Sequence, residues 1–308
     1  MEKKKKSSLI FWIVFLSLVA LIIIFKDNIG LFVYEKFIIG HIEISEFKPN
    51  EYYRPNNYSY VQITDDFIAK DEKHLLNIYY TIINSGIDSF TFRCDKDYVN
   101  CLDDVDTLSN SQSVLSNINS FVHPYNSFSS VETQYDTLGK VILKVNKAYT
   151  DEEISAINNE IKKVIDTKNA SIIDTRDLIK TFHDYIINNT KYDSNRSDRK
   201  IVDYKSDIAY GPLIEGYGLC GGYTDAMALF LDYYKIPNFK VISENHIWNA
   251  VRVDGKWYHL DLTWDDPISK SGKDILEYTF FLIKTEKLLQ LEKEQHIFDQ
   301  TIFKEVVW

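Results

Sequence analysis

Apolar positions recur at helical spacing in several segments and alternate in others. From Asp71 the run "DEKHLLNIYYTIINSG" predicts a helix ending near Gly86. "SFTFRC" predicts a short strand, and the segment from Tyr98 to Phe121 reads as helix with breaks. "SSVETQYDTLGKVILKVNKAY" reads as two strands around a turn at Thr137 to Gly139. Together these predict a small α+β module over residues 55–148. Beyond it, Thr150 with Glu153 fits a capping box, and Ile154, Ile157, Ile161 and Ile165 share one helix face. Leu178, Phe182 and Ile186 stand at spacing four in a second helix. A long, loop-like connection follows from Arg196 to Gly218. "GGYTDAMALFLDYYKIP" then places Met227, Phe230, Leu231 and Tyr234 on one side of a helix that ends before Pro237.

The first residues carry a different pattern. Lys3 to Lys6 precede an apolar run from Leu9 to Phe25 broken only by Ser17. At ~1.5 Å per residue that run spans roughly 25 Å, near the lower limit for crossing a bilayer. No small-x-small cleavage pattern follows it, so an uncleaved anchor is expected rather than a signal peptide. The lysines place the N-terminus in the cytoplasm and the remainder outside. The expected layout is a basic tail and transmembrane anchor over 1–26, a connector over 27–54, the small module over 55–148 and a larger domain over 149–308. An exported location permits a Cys94–Cys101 disulfide, although local shape over seven positions could equally prevent closure. Cys220 is the odd cysteine of the three.

The chemistry concentrates around Cys220. It stands among Gly218, Gly221 and Gly222 at the start of a helix, where unpaired amides and the helix dipole stabilise a thiolate. Glycines there also leave room for an incoming carbonyl. The plainer alternative is a buried cysteine beside a glycine turn.

Downstream, "KVISENHIWNAVRVDGKWYHLDLTWDD" contains Asp254-Gly255, a strong two-residue hairpin signal. If Val253 faces Lys256, then Trp248 is opposite Asp261 and His246 is opposite Thr263. Alternation puts His246, Trp248, Trp257, His259 and Asp261 on one face. His246 and Asp261 become diagonal neighbours ~7–8 Å apart at the backbone, within side-chain reach. Asp261 can then orient His246, and His246 can face Cys220, the pattern of an activated cysteine. His259 is a reserve base or a packed histidine, and Trp248 can shield the imidazole or simply pack.

Composition narrows the partners. A net charge of −10 argues against a nucleic-acid binder. Asp265 and Asp266 follow the hairpin, but no Ca²⁺-loop spacing is present, and the zinc alternative lacks ligands. No phosphate-cradling or dinucleotide signature occurs. No metal or cofactor is expected.

"YGLCGGYTDAMALFL" and "NHIWNAVRVDGKWYHLDLTWDDP", in that order, resemble the core of the transglutaminase-like superfamily, most strongly from Phe182 to Pro267. Tyr192 and Asp193 in "FHDYIINNTKYD" resemble the family's preceding helix and turn, and "YTFFLIKTEKLL" its following segment. The resemblance implies an α+β, papain-like fold with a cysteine-bearing helix against an antiparallel sheet, in a bacterial membrane-anchored member. It implies Cys220 as nucleophile, His246 as base and acid, and Asp261 as orienting acid. Gly221 departs from the Gln or Ser of many bacterial relatives. The Cys220 amide, Tyr210 or Tyr217 are candidates for oxyanion stabilisation or for lining the site. The implied function is thiol-dependent acyl transfer or hydrolysis at protein or peptide amides through a Cys220 thioester. The substrates would be cell-wall or surface polypeptides. The alternative is a noncatalytic extracytoplasmic protein- or cell-wall-binding module of the same fold.

Overall fold

The computed structural model describes residues 43–168, 174–267, 275–292 and 294–308, together with Phe15 and Ser17. Its order begins β1 (Ile68–Ala69), α1 (Glu72–Ser85), β2 (Ser89–Cys94), α2 (Cys101–Asn110), α3 (Gln112–Asn119), β3 (Phe128–Tyr135) and β4 (Lys140–Lys147). These strands form one sheet in the order β1-β2-β4-β3. Asp71 caps α1 by accepting from the His74 amide, and Gly86 ends it at φ 69°. A Cys94–Cys101 disulfide ties the end of β2 to the start of α2.

Next come α4 (Asp151–Lys168), α5 (Thr175–Asn189), β5 (Lys191–Tyr192), α6 (Ser194–Arg199), β6 (Tyr217–Gly218) and α7 (Cys220–Tyr233). The connection before Gly218 is not plain loop: it holds α6 and a π-helical stretch at Gly211–Glu215. At α4 the Thr150 amide donates to Glu153 Oε2 at 2.8 Å, and the Glu153 amide donates to Thr150 Oγ1 at 3.3 Å. This reciprocal pair is a capping box. The chain continues through β7 (Asn238–Ile242), β8 (Ile247–Val253), β9 (Lys256–Leu260), α8 (Leu262–Asp265) and α9 (Thr285–Leu291).

β7, β8 and β9 form an antiparallel sheet in that order, with Val253 opposite Lys256 and Ala250 opposite His259. Asp254 (φ 51°) and Gly255 (φ 79°) make the turn, the two left-handed positions a two-residue hairpin demands. This sheet separates two hydrophobic cores. Phe239, Val241, Trp248 and Ala250 point into one core, shared with α1, β2 and β4. Val251, Val253 and Leu260 point into the other, with Ile157 and Ile161 of α4, Phe182 of α5 and Phe230 of α7. Trp248, Asn249, Ala250 and Val251 are all buried, so β8 is covered on both faces. The architecture is α+β, with helices packed against sheets.

One part of the expected layout is corrected. No helix among the described residues is long and apolar enough to cross a membrane. The segment expected as an anchor, 1–26, lies outside the described residues apart from Phe15 and Ser17. Membrane attachment through an N-terminal helix, a single-pass topology and an extracytoplasmic domain are accordingly not carried forward.

Candidate functional site

Three elements build the site. The start of α7 supplies Cys220, the turn before β8 supplies His246, and the residue after β9 supplies Asp261. Cys220 begins α7 because Gly221 and Gly222 let the helix press onto the 206–208 backbone. A Cβ on Gly222 would lie 2.3 Å from the Ser206 carbonyl oxygen, and one on Gly221 2.6 Å from that of Asp207. The glycines thus serve close backbone packing, rather than the clearance for a substrate carbonyl that their sequence suggested.

His246 and Asp261 meet directly, with Nε2 2.6 Å from Oδ2. A third residue, unforeseen from sequence, shares that oxygen: His296 Nε2 stands 2.8 Å away. Asp261 is 1% exposed and His296 is 0% exposed. The other Asp261 oxygen, Oδ1, accepts from the Thr263 and Trp264 amides at 2.9 and 3.3 Å, capping α8. His296 is held from its far side, where Nδ1 lies 3.1 Å from Glu292 Oε2. The carboxylate is therefore the hub of a His246–Asp261–His296 cluster.

Electrostatics follow from that hub. Burial alone would lower the His246 pKa. The Asp261 charge and hydrogen bond override it, a hydrogen bond and charge interaction with Cys220 add to the rise, and the value is pushed up to about 10. Burial would raise Asp261, but the two imidazoles outweigh it and hold the carboxyl well below its ordinary range. The carboxylate thus favours the protonated form of His246, to which it is hydrogen-bonded.

The remaining sequence candidates divide. Trp248 is fully buried and stacks on His246 with ring centroids 5.6 Å apart. His259 lies behind it and is fully buried: Trp248 Nε1 donates to His259 Nδ1 at 2.9 Å. That bond puts the ring proton on Nε2, which donates to Thr285 Oγ1 at 2.9 Å. Thr285 in turn donates to the Val306 carbonyl. Burial first, then the nearby His296, pushes the His259 pKa down to about 3. His259 is a neutral packing residue and not a reserve base. Tyr217 stacks on Tyr204 at 4.0 Å, and Tyr210 lies under Lys205. Neither tyrosine lines the cavity at Cys220, and Gly221 lines a separate one. Cys220 is half-buried and outside any disulfide. Asp265 is buried against His183, and Asp266 accepts from the Tyr223 hydroxyl.

A cavity of about 410 Å³ opens over this cluster. Cys220, Asn245, His246, Thr263, Trp264 and Gln295 line it, so amide, hydroxyl and aromatic surfaces surround the imidazolium. Only His246, Asp261 and His296 converge as metal-ligand types among the described residues, with ligand atoms within 4.8 Å of one another. Both Nε2 atoms are already engaged by Asp261 Oδ2, so hydrogen bonds satisfy the cluster.

No family model matches the chain, and no curated protein matches it. A solved structure described as "Crystal structure of a TGase" is 18% identical, with a TM-score of 0.34. That match covers 47% of this chain and 46% of the other. A candidate cysteine protease from Cytophaga hutchinsonii is 14% identical, with a TM-score of 0.28, over 48% of this chain and 65% of its own. This chain spans less than two thirds of either protein. Neither likeness carries family membership, an activity or a substrate to it.

The enzyme reading is corrected accordingly. Thiol-dependent acyl transfer or hydrolysis through a Cys220 thioester was expected from Asp261 orienting His246 toward Cys220. The Asp261 carboxylate instead joins two imidazoles, His246 and His296.

Proposed function

We propose that the chain is a noncatalytic module that binds a protein or peptide segment in the cleft over His246. The observation that supports this reading is the Asp261 carboxylate shared by His246 and His296. That carboxylate raises the His246 pKa and favours a cationic donor facing the cleft. The cavity above it suits a peptide. Asn245 and Gln295 offer amides to a backbone, and Trp264 offers an apolar face.

The test pairs binding with turnover. Polypeptides are titrated against the full chain by fluorescence polarisation, while amine incorporation and amide hydrolysis are measured on the same substrates. Binding without turnover, retained in Cys220→Ala, is expected. Turnover that disappears in Cys220→Ala would overturn the proposal.

A further inference from the structure

A second cavity, of about 690 Å³, opens on the other side of the α7 start. Gly221 lines it, while the preceding residue, Cys220, lines the cavity over His246. Two successive residues thus line two separate cavities.

The lining of the second cavity is charged, and its charges do not balance. Its carboxylates are Glu153, Asp203, Asp207, Glu215 and Asp225, and its cations are Arg196, Lys205 and Lys240. Lys205 pairs with Glu153, Arg196 with Asp207 at 2.8 Å, and Lys240 with Asp225 at 3.0 Å. Each cation has one paired carboxylate, and Lys205 also lies in the field of Glu215, while the lining as a whole carries two more negative than positive charges. Asp203 and Glu215 stand outside the three pairs. Glu215 also accepts the Lys205 backbone amide at 2.7 Å, which fixes its carboxylate without neutralising it.

The floor is a built polar site. Lys240 is 4% exposed, and its Nζ donates to Asp225 Oδ1 and to Ser127 Oγ, each at 3.0 Å. An ammonium carries three N–H donors. Two have protein partners, and Lys240 lines the cavity, so a third can serve an acceptor that enters it. Asp225 is locked on its second oxygen by the Tyr149 hydroxyl at 2.7 Å, and that hydroxyl accepts the Ala209 amide at 2.8 Å. A peptide carbonyl can take the spare N–H without displacing the ion pair, whereas a phosphate or carboxylate would meet the surplus negative charge.

We propose that this groove takes an extended polypeptide segment bearing lysine or arginine. Its cationic side chain would sit against Asp203 and Glu215, and a backbone carbonyl would sit on Lys240. This rests on the binding-module reading and names the class of its partner.

Three labelled, end-blocked peptides are titrated against the full chain: alternating lysine–glycine, alternating glutamate–glycine and alternating serine–glycine. The lysine peptide is expected to bind roughly tenfold more tightly than the glutamate peptide, with the gap narrowing as salt is raised. Asp203→Asn combined with Glu215→Gln should remove most of that gap while leaving the serine peptide unchanged. Both substitutions are on the groove rim, so folding is checked by an unaltered melting temperature. Equal affinity for the three peptides, no binding by any of them, or a gap that survives the double substitution would overturn this groove assignment. Charge-independent binding that Trp264→Ala weakens would overturn it and leave the binding-module reading standing. The turnover assay, not the charge series, decides that reading.

Discussion

His296 lies 2.8 Å from Asp261, 35 positions earlier in the chain, on the same carboxylate oxygen that His246 holds at 2.6 Å. One buried oxygen thereby fastens the turn before β8 to the segment after α9. Asp261 Oδ1, capping α8, fastens a third. The cluster couples the local structure at the cleft to the packing of the C-terminal segment.

Removing His296 should therefore be costly. His296→Ala takes one of two imidazole partners from a fully buried carboxylate and leaves a cavity against Trp248, whose ring centroid is 4.8 Å away. The carboxylate keeps His246 and two amides, so the loss of one buried hydrogen bond plus the cavity should cost about 2–4 kcal/mol. Urea unfolding should show a midpoint shift of that size with the slope unchanged. A shift under ~1 kcal/mol would show that the cluster relaxes around the loss.

Much of the sheet was legible in the sequence, because Asp254-Gly255 admits few turn geometries and a two-residue turn fixes register. That register alone puts His246 and Asp261 within reach of each other. The second imidazole was not legible. His296 belongs to no periodic run and arrives from a segment far along the chain, so only tertiary packing identifies it. The capping role of Asp261 did leave a signal: an aspartate ahead of "LTW" can accept from the amides two and three positions on. The glycines beside Cys220 were misread, because sequence does not show the Ser206 and Asp207 carbonyls that press on them.

The His246 pKa makes stability depend on pH in a stated direction. It is raised from about 6.5 to about 10. The groups around the ring are Asp261, Cys220 and His296. A group raised in the folded state contributes stability that is whole below its unfolded value and is lost as pH climbs through its folded value. Chemical denaturation from pH 6.5 to 10 should thus show falling stability, and His246→Gln should flatten that slope. Asp261 acts in the opposite sense: its depressed value stabilises the fold at neutral pH and loses its effect in acid. A His246 ring that NMR finds titrating near 6.5 would contradict the high-pH limb.

Gly222 and Gly255 should respond differently to alanine. At Gly222 the new Cβ meets the Ser206 carbonyl oxygen at 2.3 Å, so the start of α7 must separate from the 206–208 backbone. A loss of more than ~2 kcal/mol is expected. At Gly255 no atom lies within 4 Å, and only the φ of 79° resists substitution. Strain of that kind costs about 1 kcal/mol. Calorimetry on the two variants should rank them in this order, and the reverse order would show that the α7 start yields easily.

The buried Lys240–Asp225 pair offers a test of how the groove floor is held. Both side chains are nearly inaccessible, and each has a second partner, Ser127 for the lysine and Tyr149 for the aspartate. Lys240→Met removes the cation and strands the carboxylate, which should cost about 3–5 kcal/mol. Asp225→Asn alone strands the ammonium and should cost a similar amount. Combining the two leaves neutral groups and should recover a large part of the loss, because the expensive element is the unpaired buried charge rather than the missing bond. Unfolding free energies for the four proteins of this cycle measure the coupling directly. Additive losses would mean that water enters the groove floor and screens each charge independently, whereas a positive coupling of a few kcal/mol would place the pair in the dry environment its burial describes.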